Sequence, residues 1–366
     1  MFEYNQNNNN DTCVAIAFAR PVEFNSPVRN VKLVLEDLKK ANIPVFTIEL
    51  LFDNQTNIIP NPTKTVRANT RIVSKENLWN LLEKEIPEQY SKIIFLDADI
   101  RFTNPNWFNE SAVLLDKNFL IQPHSEVYFN LNIDSDYSSP DMEKIIFYST
   151  AKSSIAKGIK ERTLKYSIHD SWVGFSIGVT RKFYKDIRGF YDKGIMGQGD
   201  TLFWNCFIPT YVQSEEIIQT ENKLYSYYLY HKKNVQWIYD KIDYVKDCIA
   251  CHLFHGTKQN RDYDNRCKKQ PNEKYLSYNK DGVIELNEPK LLKEHFKNFK
   301  KREEDEECPS YIVSQLIKLA NEQPLLLTEN IVKHSDHPDI YQNLYKHHIK
   351  CDLCKQEYKQ ILNEKS

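Results

Sequence analysis

The chain has 366 residues, of which 41% are hydrophobic, 27% charged and 13% aromatic, with only 9 glycines. That balance builds a globular core and excludes disordered and collagen-like classes. Lys and Arg total 49 against 50 Asp and Glu, so no whole-chain field draws the protein to nucleic acid.

No apolar run approaches the roughly 20 residues that span a bilayer, so no transmembrane segment is expected. Residues 1–12 are polar and Asn-rich; they read as a disordered tail, not a secretion signal. Cys13 to Ala19 (CVAIAFA) is an apolar strand closed by Arg20-Pro21. Val31, Val34, Leu35 and Leu38 recur at helical spacing, ahead of Lys39-Lys40 where the helix dipole favours cations. Val45 to Phe52 is a second strand, and Leu78, Trp79, Leu81 and Leu82 mark a helix that stops before Pro87. Lys92 to Leu96 is a third strand running into Asp97-Ala98-Asp99, and Phe119 to Gln122 a fourth.

Apolar strands alternating with helices predict an α/β fold, a mostly parallel sheet with helices on both faces. Ligands then bind beyond the carboxyl ends of the strands, where Arg20, Glu49 and Asp97 to Asp99 fall. A helix is expected over Met142 to Lys157, a glycine-punctuated stretch over 172–208, and a boundary at Cys308-Pro309 after the charged run 297–307. The plan is therefore a tail (1–12), an α/β domain (13–307) and a helical C-terminal region (308–366). The 8 cysteines, scattered through a large chain, read as reduced thiols and predict a cytoplasmic rather than secreted protein.

Three places carry chemistry. Two carboxylates one residue apart at a strand end point the same way, so Asp97 and Asp99 can share one hard dication, Mn²⁺ or Mg²⁺. Asp134/Asp136 and Asp262/Asp264 repeat the spacing, but neither pair follows an apolar strand. In His252-Leu-Phe-His255-Gly256 an imidazole can complete such a site, and Lys258, Arg261 and Arg266 downstream can neutralise a diphosphate. Gly197-Gln198-Gly199-Asp200 makes a tight turn before a helix, so Asp200 is either an N-cap, a general base, or both.

In this order, the stretches FARP (18–21), IEL (48–50), SKENLWN (74–80), IIFLDADIRF (93–102), WVGFSIGVTRKFY (172–184), GIMGQGDTLFW (194–204) and HLFHGTKQNRDYDNR (252–266) resemble the GT-A glycosyltransferases. More narrowly, they resemble the family-2-like enzymes of large DNA viruses and phages, which would put the protein in a host cytoplasm or virion. The resemblance covers roughly residues 13 to 305. It implies that Asp97, Asp99 and His255 hold the metal, and that Arg20 and Glu49 line the nucleotide pocket. Lys75 and Asn77 would contact the nucleotide or donor sugar, Lys258, Arg261 and Arg266 the diphosphate, and Trp172 and Gly174 would shape the sugar pocket. Asp200 matches the residue that deprotonates the acceptor hydroxyl in inverting members, although relatives often carry two acidic residues there. The implied donor is a UDP-sugar and the acceptor a glycan or glycoprotein.

Two other readings compete. A sugar-nucleotide nucleotidyltransferase also pairs aspartates with a parallel sheet, but no glycine-rich phosphate loop follows the first strand here. A non-catalytic carbohydrate-binding protein with a degenerate site would use some of the 22 Tyr and 5 Trp for stacking. Separately, His347, Cys351 and Cys354 (H-x₃-C-x₂-C) resemble the zinc-binding helix of anti-sigma-type domains. Structural Zn²⁺ would need a fourth ligand from His334, His337 or Cys308. The plainer reading is two cysteines one turn apart on an amphipathic helix.

Overall fold

The computed structural model describes residues 3–21, 25–131, 152–164, 171–195, 197, 199–207, 236–253 and 273–287. In chain order the elements are β1 (Thr12–Ala19), α1 (Asn25–Lys40), β2 (Val45–Phe52), β3 (Lys64–Ala68), α2 (Lys75–Glu83), β4 (Lys92–Leu96), β5 (Ile100–Phe102), α3 (Trp107–Leu115), β6 (Leu120–Gln122) and β7 (Glu126–Leu131). There follow β8 (Lys152–Ser153), α4 (Ile155–Lys160), β9 (Ser176–Thr180), α5 (Arg181–Asp186), α6 (Gly199–Asn205), β10 (Ile242–Tyr244), β11 (Ile249–Leu253), β12 (Leu276–Tyr278) and β13 (Ile284–Leu286).

The main sheet has seven strands in the order β10-β6-β9-β4-β1-β2-β3. All its pairings are parallel except those of β9, which runs antiparallel between β4 and β6. A smaller sheet runs β5-β11-β7-β8, and β12 and β13 form a hairpin. The fold is mixed α/β, as the alternation predicts.

Side-chain alternation explains why both faces of the main sheet are covered. Cys13 and Ala15 of β1, with Ile93 and Phe95 of β4, pack under Leu78, Trp79 and Leu82 of α2 and under Phe203 and Trp204 of α6. Val14 and Ile16, with Ile94 and Leu96, face the other way onto Val34 and Leu38 of α1 and Trp107 and Phe108 of α3. Each of these fully buried large side chains is worth about 1.5–3 kcal/mol, so the central strands are the most securely held of the described residues.

Two expectations change. The N-terminal stretch is not a loose tail over its described part. The Tyr4 hydroxyl accepts from the Phe102 N–H at 2.9 Å, and its ring packs edge-on against Trp107. The Asn7 N–H donates to the Ala41 carbonyl at 2.9 Å, and the Gln6 side chain donates to the Lys40 carbonyl at 2.9 Å. The turn after α1 satisfies the carbonyls of Asp37, Leu38 and Lys39, and this polar run takes the next two, Lys40 and Ala41; β1 then begins at Thr12. The expected helix over Met142 to Lys157 also fails at its described end. Lys152 and Ser153 pair antiparallel with Val127 and Glu126, and α4 starts only after Ser154, whose hydroxyl caps the Lys157 N–H. The boundary near 308 and the C-terminal helices lie outside the described residues.

Candidate active site

β1 has β2 on one side and β4 on the other, so connections diverge there, and in open α/β sheets the ligand crevice forms at such a point, here beyond the carboxyl ends of β1 and β4. Asp97-Ala98-Asp99 lies at that crevice as the corner where the chain leaves one sheet for the other. The Asp97 N–H donates to the Phe175 carbonyl at 2.9 Å, and the Asp99 carbonyl accepts from the Leu253 N–H at 2.8 Å. Ile100 then enters the small sheet opposite His252. Ala98 turns inward to the apolar clusters, which leaves the two aspartates half-buried on the outside of the turn.

Opposite the corner stands the first turn of α2, capped by the Ser74 hydroxyl on the Asn77 N–H. The Lys75 ammonium lies 2.8 Å from Asp97 Oδ1, donates to Oδ2 at 3.1 Å, and sits 4.8 Å above the Trp79 ring. A cation here opposes the helix dipole, so these two contacts offset a local cost. Burial works against the Lys75 charge, but Asp97, Asp200 and Glu76 together outweigh it and hold its pKa well above the ordinary value. Burial pushes the Asp97 carboxyl up to about 6, with Asp99 and Asp200 adding to the shift and Lys75 opposing it. Burial likewise pushes Glu76 up to about 7; Lys75 opposes this and Asp200 adds to it.

Asp200 reaches the same place from α6. The helix begins at Gly199, so Asp200 is in its first turn rather than at the N-cap, and its Oδ1 accepts from the Thr201 N–H at 2.7 Å. A Cβ added at Gly174 would stand 2.6 Å from Asp200 Oδ2, and one at Gly199 would overlap the Glu76 carboxyl. Gly197, with φ +91°, supplies the left-handed turn just before. The 172–174 segment facing Asp200 is held by Gln122, a fully buried residue at the end of β6. Its amide points at the carbonyls of Trp172, Val173 and Gly174 at 3.3–3.5 Å and accepts from the Ala156 N–H at 2.9 Å.

The site thus gathers Asp97, Glu76 and Asp200 around one lysine, with Asp99 beside Asp97. Asp97 Oδ1 is buried, and apart from the Lys75 ion contact it has no hydrogen-bond partner. A buried, hard carboxylate oxygen beside further carboxylates suits a divalent cation. Among the described residues no three acidic, His or Cys side chains already form a metal-binding group; Asp97 and Asp99 are the pair available. The expected third ligand, His255, lies outside the described residues, as do Lys258, Arg261, Arg266, His347, Cys351 and Cys354. His252, three residues before His255, is buried with Nε2 3.6 Å from Asp99 Oδ2.

Two expected pocket residues are committed elsewhere. Glu49 is 1% exposed, and its carboxylate accepts from the N–H groups of Ile58 (2.8 Å) and Ile59 (3.0 Å) and from the Asn57 amide (3.0 Å). It holds the loop after β2, leaving no free face for a nucleotide. The Asn77 amide donates to Asp192 at 3.2 Å and the Gly282 carbonyl at 3.1 Å, and accepts from the Ile284 N–H at 3.1 Å, so it ties α2 to the β12–β13 hairpin. Arg20 follows β1 as expected. Its Nη2 donates to the Thr56 carbonyl at 3.3 Å, and its Nε is buried without a partner. Trp172 packs edge-on against Phe175 beneath the Lys152 ammonium. His252 belongs to the His252-Leu-Phe-His255-Gly256 stretch that sequence reasoning singles out, although the ligand role is there given to His255. Glu76 and Gln122 are the neighbours that it missed. Only Glu76, next to Lys75 in SKENLWN, had a signal: an acid on a helix turn otherwise facing the core.

No protein-family model matches the chain, nor does any curated protein. Among solved structures it is similar to the catalytic domain of Drosophila beta1,4-galactosyltransferase 7 in complex with xylobiose, at 13% identity and TM-score 0.30, over 53% of this chain and 58% of that one. A mutant of the same enzyme complexed with manganese, UDP-Gal and xylobiose is similar at 12% identity and TM-score 0.29, over 53% and 59%. The chain therefore spans less than two thirds of either. No helix among the described residues is long and apolar enough to cross a membrane.

Proposed function

We propose that the protein is a GT-A-type glycosyltransferase that uses Mn²⁺ or Mg²⁺ to move a sugar from a UDP-sugar to a hydroxyl of a glycan or glycoprotein, with inversion. One observation carries the reading: Asp97, Asp99, Lys75 and Asp200 converge beyond the carboxyl end of β4, with glycine at 174 where a side chain would strike Asp200. An anionic diphosphate does not enter a cluster of carboxylates unaided; a dication shared by Asp97 and Asp99 reconciles the two charges. When bound, it would withdraw charge from the diphosphate as that group leaves.

The chain's own residues do the rest. Lys75, held fully charged by its acidic neighbours, offers a fixed positive charge to the leaving group. The bond from the anomeric carbon to the diphosphate oxygen breaks, and its electron pair goes to the nucleotide. The acceptor oxygen bonds to the opposite face of an oxocarbenium-like carbon, and its proton passes to Asp200. The unpartnered Nε of Arg20 supports a nucleotide contact beyond β1, and Trp172 and Gly174 border the sugar. His255, Lys258, Arg261 and Arg266 keep the roles that the resemblance implies.

The test is melting of the purified chain with a panel of nucleotide sugars, with and without Mn²⁺, alongside assay of nucleotide release. A donor at a hundred times its Kd stabilises by about 2.7 kcal/mol, so a UDP-sugar with Mn²⁺ raises the melting temperature well above either alone. If no nucleotide sugar raises it or is turned over with either metal, the reading is wrong.

A further inference from the structure

We infer that Glu76 is a positioning residue for Asp200: its buried carboxyl fills the space against Gly199 and fixes the turn that presents Asp200 to the acceptor. The inference rests on the reading of Asp200 as the acceptor-side base, and it adds a residue which that reading does not use.

Glu76 occupies the first turn of α2, where an acid is favoured by the dipole and ordinarily points to water, yet it is only 5% exposed. A buried carboxylate is costly unless it is paired. The groups facing it are Lys75 on its own helix, Asp200 on α6 and Asp97 on the corner, and only the first is a cation. Stability alone would not select this arrangement.

The contact itself is specific. A Cβ at Gly199 would overlap Cδ and both oxygens of Glu76, so the carboxyl lies flat against the Gly199 backbone, one residue ahead of Asp200. On its other side, Asp200 has Oδ2 against Gly174. Asp200 is thus held between two glycine backbones, one braced by Glu76 and the other by Gln122. The proton taken from an acceptor would then arrive within a carboxylate pair, and displacement of Asp200 by even about 1 Å is enough to cost two decades in rate.

The experiment compares wild type, Glu76→Gln, Glu76→Asp and Asp200→Asn in the full chain, with UDP-galactose and Mn²⁺ as the probe and nucleotide release as the readout. Glu76→Gln is expected to lower kcat at least about tenfold with the donor KM within about twofold. It should also remove an ionisation near 7 from the pH profile, and Glu76→Asp should recover part of the rate. Glu76→Gln with wild-type kcat and pH profile overturns the inference.

A second arm needs no turnover. In the metal-free protein, carboxyl-carbon NMR follows the Glu76 titration, assigned with Glu76→Gln. Asp200→Asn should move that midpoint downward, because Asp200 helps to hold it up; an unmoved midpoint also overturns the inference. A wild-type protein that releases nucleotide from no sugar donor would sink the proposed function instead, and the titration would still decide whether the two acids act as a pair.

Discussion

Glu49 on β2 and Asp97 after β4 flank β1 on its two sides, and the two acids live in opposite circumstances. Glu49 is saturated: two backbone N–H groups and an amide converge on it. Asp97 has one lysine, two nearby acids and an oxygen outside any hydrogen bond. Asp97 is half-buried where Glu49 is sealed in, but exposure alone does not decide their roles. The ratio of donors to negative charge does: a satisfied acid builds structure, and an under-satisfied one awaits a cation or a proton.

The sharpest way to break this contrast is to remove Asp97. Asp97→Ala is expected to abolish metal-dependent nucleotide release, while Asp97→Asn leaves the melting temperature within a few degrees of wild type. A variant with full activity in chelator would make Asp97 merely structural. Asp200→Asn comes next. Loss of a general base costs about two to four decades in kcat, with donor affinity by calorimetry unchanged; loss of affinity alone would point to a binding role.

Glu49→Ala should act in the other currency. It strands the Ile58 and Ile59 N–H groups, and at 1–3 kcal/mol per unsatisfied buried group the loss is about 3 kcal/mol in a urea melt. The turnover of the molecules that remain folded should not change. Activity lost without stability would return Glu49 to the pocket.

Much of the frame was legible because local pattern decides it. Val45 to Phe52 and Lys92 to Leu96 match β2 and β4 end for end, since short, mostly apolar runs bounded by turns and proline read as buried strands. β3 escaped notice because KTVRA is a charged edge strand with little apolar signal. β9 escaped because SIGVT sits in a glycine-punctuated stretch. Gly178 is there not for a turn but because Ile121 packs where its Cβ would be. Residues 3–11 read as a tail because asparagines lack apolar periodicity, yet they bond the Lys40 and Ala41 carbonyls where α1 ends. At the candidate site, Asp97, Asp99 and Asp200 stand out by motif and strand end, while Lys75 and Gly174 enter through the family resemblance. The commitments of Glu49 and Asn77 could not be read this way, because their partners at 57–59 and 282–284 are fixed only by the fold.

Glu76 gives a smaller effect with a definite sign. Its carboxyl is held near 7 against an ordinary 4.5, so ionising it weakens the folded state. This contribution to stability is present at low pH and is lost as pH rises from about 4.5 to about 7. In the metal-free protein, Glu76→Gln should flatten the decline of melting temperature across that window. An identical slope in wild type and variant would mean that Glu76 ionises freely, and the crowding at Asp97 would then lack its neighbour.

The least effect is expected at Asp53, a third acid on the same side of the sheet, just past β2. It pairs with Arg71, but the side chains are 60% and 40% exposed, and exposed pairs are worth about 0–1 kcal/mol. Its backbone sits at φ +48°, a conformation that asparagine also tolerates. Arg71 keeps its bond to the Pro21 carbonyl at 3.1 Å when the charge is removed. Asp53→Asn should therefore change stability by no more than about 0.5 kcal/mol, less still at high salt, and leave turnover alone. A larger fall in activity would mean that the Arg71 guanidinium, steered by Asp53, reaches into the crevice beyond β1, and the boundary between satisfied and working charge would have to move outward to include it.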